Sequence, residues 1–269
     1  MLAILLFISD IVITLVVTLT TKLYSYNLGW LFIVLMFILN YVILIGLFWL
    51  ECIVETWFIS YKKRPKERTR KYFQYKAKLI ANFLLFLSNV SVKKINMEEY
   101  FGKDHLIIFN HSSSYDALIL LNAVKGLNSF YIVKKELFKS PVGKIMFAAG
   151  SFGLDRDDVL EGARIIKSAA EEIKNNHHSV IVAPEGTRSH KQEINEMHPG
   201  TFKIAMYAKC DIVVLGIKNA SNISKRMVFR HTRTSIEPLA ILSYDKFKDA
   251  STTELKEEVE NIYNDFLKR

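Results

Sequence analysis

The chain has 269 residues, half of them hydrophobic, with 36 Lys and Arg against 27 Asp and Glu and a formal net charge of +9. The length allows one good-sized domain with an appendage, and the basic balance suits an anionic partner: phospholipid, nucleic acid or a phosphorylated substrate. Cys52 and Cys210 alone exclude a disulfide framework and a cysteine-rich metal centre, and no glycine-rich phosphate loop, dinucleotide fingerprint or fixed-period repeat is present.

Residues 1–19 are almost wholly apolar but interrupted by Asp10, and they lack the positive n-region and small-residue cleavage site of a signal peptide. Asp10 would cost about 2.5–3.5 kcal/mol at a bilayer centre, so it is expected to face the next hydrophobic segment or to sit in a shallow helix. Leu28 to Leu50 carries no charge. As a helix it would extend about 35 Å, enough for a hydrocarbon core, with Trp30 and Trp49 near the interfaces. Tyr61 to Lys78 then carries Lys62, Lys63, Arg64, Lys66, Arg68, Arg70, Lys71, Lys76 and Lys78 against Glu67 alone. Directly after an apolar span this reads as a cytoplasmic juxtamembrane patch on anionic lipid; a nucleic-acid arm is the competing reading, disfavoured by its hydrophobic neighbour. The expected division is a hydrophobic helical membrane anchor over 1–60, a basic segment over 61–78 and an α/β domain over 79–269. A spanning and a re-entrant anchor both put the domain on the cytoplasmic side of the cell membrane.

Periodicity predicts a helix over 72–88 with Leu79, Phe83, Leu84 and Leu87 on one face. Strands are predicted at Val90–Val92, Leu106–Phe109, Phe130–Val133, Ser179–Ala183 and Ile212–Leu215, with Phe152-Gly153-Leu154 as a further short apolar run. A helix from Ala117 is expected to end at Gly126. Another, capped by Asp157 or Asp158, would turn Val159, Ala163, Ile166, Ala170 and Ile173 inward. Ser251 to Glu254 fits a capping box opening a last helix with Leu255, Val259, Ile262 and Phe266 inward. Strands alternating with helices predict an α/β fold, a largely parallel or mixed sheet covered by helices.

Chemistry gathers where the strands stop. Leu106–Phe109 runs into Asn110-His111-Ser112-Ser113-Ser114-Tyr115-Asp116. A histidine can take a proton from a hydroxyl near neutral pH, and does so better when a carboxylate holds its other ring nitrogen. A loop histidine beside a serine-capped helix is the plain alternative. Arg156 follows Phe152–Leu154; Glu185, Gly186 and Arg188 follow Val180–Ala183; Lys134 and Lys135 follow Tyr131–Val133. Singly, each cation has a bland reading as an ion pair or a solvated charge. Converging on one sheet edge beside a histidine, they suit a phosphate, which arginine grips bidentately.

These residues resemble the 1-acyl-sn-glycerol-3-phosphate acyltransferases, a family of glycerolipid acyltransferases. Asn110-His111 through Asp116 matches the first family block, Phe152 to Arg156 is similar to the second, and Pro184 to Ser189 matches the third in full. Lys134–Leu137 and Pro199–Lys203 also fit. The fourth block normally carries a proline, and Val213–Ile217 has none. The resemblance covers about residues 70–240. It implies that His111 takes the proton of an sn-2 hydroxyl, that Asp116 orients the imidazole, and that the oxygen attacks an acyl thioester of acyl carrier protein or coenzyme A. Arg156, Glu185, Gly186, Thr187 and Arg188, helped by Lys134, would hold the phosphate of lysophosphatidic acid. No cofactor, metal or nucleic acid is expected. The alternatives are another lysophospholipid or glycerol 3-phosphate as acceptor, or a non-enzymatic membrane protein that binds anionic lipid.

Overall fold

The structure, a computed structural model, describes residues 2–61, 64–95, 104–123, 129–155, 157–226 and 229–268. It divides into two units, Met1–Ser60 and Tyr61–Arg269.

The first unit is a helical hairpin of α1 (Leu2–Thr21) and α2 (Gly29–Trp57). Phe7 of α1 packs edge-on against Phe37 and Tyr41 of α2, with ring centroids 5.6 and 6.4 Å apart. Large apolar side chains cover the outside of both helices, the pattern of a helix solvated by lipid rather than by water. Among the described residues, α2 is the one helix long and apolar enough to cross a membrane. Asp10 is fully buried, and its Oδ1 accepts a hydrogen bond from the Thr14 hydroxyl at 3.3 Å.

The second unit is built on seven strands: β1 (Val90–Lys94), β2 (Leu106–Phe109), β3 (Ser129–Lys134), β4 (Phe152–Leu154), β5 (Ser179–Val182), β6 (Ile212–Lys218) and β7 (Thr232–Leu242). Their order is β1-β7-β6-β2-β5-β3-β4, and every pairing is parallel except β6 with β7. The sheet is therefore mixed. Helices α3 (Glu67–Leu87), α4 (Asp116–Ala123) and α5 (Pro141–Ala148) lie on one face. On the other lie α6 (Val159–Asn176), α7 (Lys203–Ala208) and α10 (Thr252–Lys268), while α8 (Ile223–Arg226) and α9 (Tyr244–Phe247) are single turns.

The apolar runs of β2, β5 and β6 leave no polar face because both sides are covered. Leu106, Ile108, Val180, Val182, Ile212 and Val214 join a core with Ala169, Ala170 and Ile173 of α6, Ile204 and Ala205 of α7, and Val259, Tyr263 and Phe266 of α10. Strand alternation sends Ile107, Phe109, Ile181, Val213 and Leu215, all equally buried, to the opposite face. Gly216 allows one close contact: a Cβ there would sit 2.6 Å from the Phe266 ring.

Two consequences place the site. Strands β2, β5, β3 and β4 are parallel neighbours, so their C-terminal ends share one edge. β1 runs against β2 through the β7 reversal, so the end of α3 reaches that same edge.

Several expectations are corrected. Helix α3 starts at Glu67, runs across the expected boundary at residue 78 and buries Phe73, Ala77, Ile80, Ala81, Phe83 and Leu85; Leu87 is exposed. In α6 the inward residues are Ala169, Ala170 and Ile173, whereas Val159 is 82% exposed and Ala163 lies on the surface. β6 runs to Lys218, and β7 is the longest strand although nothing marked it in the sequence. The expected helix end at Gly126, like Lys62 and Lys63, lies outside the described residues. The capping box forms: Ser251 N donates to Glu254 Oε2 at 2.6 Å, and Glu254 N donates to Ser251 Oγ at 3.2 Å.

Candidate active site

The site begins where β2 gives out. Asn110, 2% exposed, uses its side-chain amide as an extra peptide group. Its Nδ2 donates to Ile217 O at 3.0 Å, and its Oδ1 accepts from Ile217 N at 2.7 Å. The ladder between β2 and β6 thus continues through a side chain, freeing the main chain at His111 to turn away.

His111 is held from three directions. Its Nδ1 lies 2.9 Å from Asp116 Oδ2. Its backbone N–H donates to Glu185 Oε1 at 2.6 Å, and its carbonyl accepts from Ser189 N at 2.9 Å. The segment after β5 therefore grips the histidine main chain at both ends. The ring stands edge-on to Phe109, centroids 5.8 Å apart, and the side chain is 23% exposed.

Asp116, at the first position of α4, is fully buried. Its Oδ2 also accepts the N–H groups of Ser112 and Ser113 at 2.7 and 2.8 Å. The Ser113 hydroxyl accepts from Tyr115 N at 3.2 Å, so serine does cap this turn, as the plain alternative required. The capping coexists with the His–Asp bond and does not replace it. With Nδ1–H donated to the carboxylate, Nε2 keeps its lone pair. An imidazole so held can accept a proton from a hydroxyl placed at Nε2.

Glu185 is 1% exposed and spends both oxygens on backbone: Oε1 on His111 N–H and Oε2 on Asn195 N–H at 2.7 Å. Burial pushes this carboxyl above the usual range, against the two backbone donors. Both oxygens of this carboxylate are thus committed to main-chain donors on either side of the turn. Gly186 adopts φ +68°, a left-handed conformation costly for any side chain. Thr187 and Arg188 are exposed at the rim. The Asn195 Nδ2 donates to Thr187 O at 3.1 Å, closing the loop back on itself. No sequence pattern singled out Asn195; it lies ten residues beyond Glu185 in a polar stretch.

Strand spacing sets the reach of the remaining groups. At about 4.8 Å per strand, the end of β3 lies about 10 Å from the end of β2. Lys134 stands there, 58% exposed and 3.5 Å from Glu136. Lys135 is tied to Glu161 at 2.7 Å and lies 4.0 Å from Asp155. Arg156 lies outside the described residues. The fold brings together His111, Asp116, Glu185 and the Gly186–Ser189 loop; Lys134 is at the same edge, two strands along.

Residues 90–218 match the family model described as Acyltransferase. It is 26% identical over 197 residues to the 1-acyl-sn-glycerol-3-phosphate acyltransferase of Saccharomyces cerevisiae, covering 71% of this chain and 65% of that protein. It is 29% identical over 157 residues to a probable 1-acyl-sn-glycerol-3-phosphate acyltransferase of Mycoplasma pneumoniae, covering 57% of each. The chain thus spans less than two thirds of the length of these curated relatives. The crystal structure of the 1-acyl-sn-glycerophosphate (LPA) acyltransferase PlsC from Thermotoga maritima shares the fold: TM-score 0.60, 21% identity, 79% of this chain and 86% of that one.

Proposed function

We propose that this chain is a membrane acyltransferase moving an acyl group from a thioester to the sn-2 hydroxyl of 1-acyl-sn-glycerol 3-phosphate, giving phosphatidic acid. The observation that carries the proposal is the His111–Asp116 bond at 2.9 Å, at a sheet edge where the Pro184–Ser189 segment grips the histidine main chain. The names of the relatives supply the acceptor.

His111 Nε2 takes the hydroxyl proton as the oxygen attacks the thioester carbonyl carbon. Asp116 stabilises the imidazolium that results. The tetrahedral intermediate collapses, the carbon–sulfur bond breaks, and the imidazolium returns its proton to the departing thiolate. Ester and free thiol are the products, and the enzyme ends as it began. Arg188 and Arg156 supply the guanidinium groups for the acceptor phosphate, and Lys134 adds charge. Gly186 and Thr187 shape the rim beside Arg188. Glu185 acts through His111, not on the phosphate. The hydrophobic first unit anchors the domain at the cytoplasmic face of the membrane, where acceptor and product reside.

The test is a substrate panel on the purified full chain. Acyl carrier protein and coenzyme A thioesters are each offered with lysophosphatidic acid, with a lysophospholipid bearing a head group, and with glycerol 3-phosphate. Phosphatidic acid from lysophosphatidic acid, at the highest kcat/KM of the three acceptors, is the expected result. A clear preference for either other acceptor overturns the assignment.

A further inference from the structure

Part of the basic run between Arg64 and Lys78 is spent on contacts within the second unit. Arg64 pairs with the buried Glu172 and lies 4.0 Å above the Phe152 ring. Arg70 lies 3.8 Å from Glu172 and 5.2 Å from the Phe130 centroid. Lys76 is 5% exposed. These three cations serve packing.

The exposed residues of α3 form a separate set. Arg68, Tyr72 and Tyr75 recur at helical spacing along one stripe, and Phe86 returns to the same face three turns on, with half-buried Leu79 and Asn82 between them and Leu87 beside its end. Tyr72 is 47% exposed, Tyr75 49%, Phe86 63% and Leu87 40%. Lys66 and Lys71 flank the start of the stripe on the surface, and Glu67 is the sole acidic residue of the helix. The stripe has direction. The helix that carries it starts ten residues after the end of the apolar α2. It finishes at Ser88, whose hydroxyl lies 3.0 Å from the Tyr115 hydroxyl, beside Asp116. A helix of 21 residues covers about 30 Å, so its two exposed stretches, Arg68 to Tyr75 and Phe86 to Leu87, sit at opposite ends, the second at the rim of the candidate active site. Cations with tyrosines, then bare aromatic and aliphatic groups, match the headgroup zone and upper acyl region of a bilayer.

We propose that the outward face of α3 is a docking surface for an anionic phospholipid bilayer, laying the His111 edge against the leaflet that holds the acceptor. The proposal rests on the reading of the first unit as a membrane anchor, and it adds a second, separately testable contact. Anionic lipid is favoured over nucleic acid because the stripe ends in Phe86 and Leu87, which a phosphate backbone does not solvate.

The test uses the full chain with Cys52 and Cys210 replaced by alanine, carrying one environment-sensitive fluorophore through Tyr75→Cys, Phe86→Cys or, as control, Tyr207→Cys on α7. Each protein is reconstituted into phosphatidylcholine vesicles with or without phosphatidylglycerol, and flotation is measured alongside emission. Labels at 75 and 86 are expected to shift to the blue and be quenched by lipid-borne quenchers, more strongly with phosphatidylglycerol, while the label at 207 stays in water. Arg68→Gln should lower the ratio of lipid-exposed to water-exposed label about fivefold in anionic vesicles, the effect of one basic charge near such a surface. Protein that floats while labels 75 and 86 remain in water overturns the docking surface and leaves the anchor standing. Protein that does not float overturns both. Label shifts produced by an oligonucleotide and not by vesicles overturn the choice of lipid.

Discussion

Asp116 presents one buried oxygen to three N–H groups, two from backbone and one from the imidazole. The backbone pair fixes where that oxygen sits, so the ring has one orientation available. Asp116→Asn keeps the shape and loses the charge that balances the imidazolium. It is expected to lower kcat by about 10²–10⁴-fold with KM little changed; steady-state kinetics on folded protein measures this, and a change confined to KM would contradict it. Asn110 acts differently. Asn110→Ala deletes both bonds to Ile217 and leaves two buried backbone groups unpaired, a loss of about 1–3 kcal/mol. Urea denaturation reads that loss directly. The contact between His111 and Asp116 was legible because their fixed spacing falls at the end of an apolar strand. The ladder-extending role of Asn110 was not, since it depends on β6, a hundred residues away.

At the scale of elements, the loop after β5 is the brace of the site. Gly186→Ala forces a side chain onto φ +68°, costing about 1–2 kcal/mol, and should reduce kcat because the loop holds the His111 main chain. Comparing its kcat with its acyl-acceptor KM separates this from lost phosphate binding. A second brace joins the residues before α3 to α6. Burial pushes the Glu172 carboxyl up, but Asn176, His178, Arg64 and Arg70 together hold it below the ordinary range. A depressed carboxylate adds stability that is complete above the unfolded pKa, near about 4.3, and is lost as pH falls through the lower folded value. Glu172→Gln should therefore be less stable than wild type at pH 7, with the difference shrinking below about pH 4 in denaturation midpoints. The strands of the core were readable as apolar runs bounded by turns. The tilt of amphipathic faces was not: α3 and α6 each have more apolar positions than the sheet covers, and packing, not periodicity, decides which stay out.

For the whole molecule, the division at Ser60 separates a unit whose outer surface is apolar from one whose core is closed. That division was visible in the sequence as a sudden change of composition. The basic stretch that follows was legible as charge, but not as the split between cations paired inside and cations left on the surface, because Glu172 lies more than a hundred residues from Arg64. Sheet order was equally hidden, since β7 carries polar residues although it is an interior strand, parallel to β1 and antiparallel to β6. The proposed reaction requires that a single imidazole drive thioester cleavage by an acceptor hydroxyl. The most direct measurement is thiol release and phosphatidic acid formation by His111→Ala, purified and matched to wild type in its unfolding transition. The account predicts a fall in kcat of at least about 10³-fold; a variant that keeps a substantial part of the wild-type rate would contradict it.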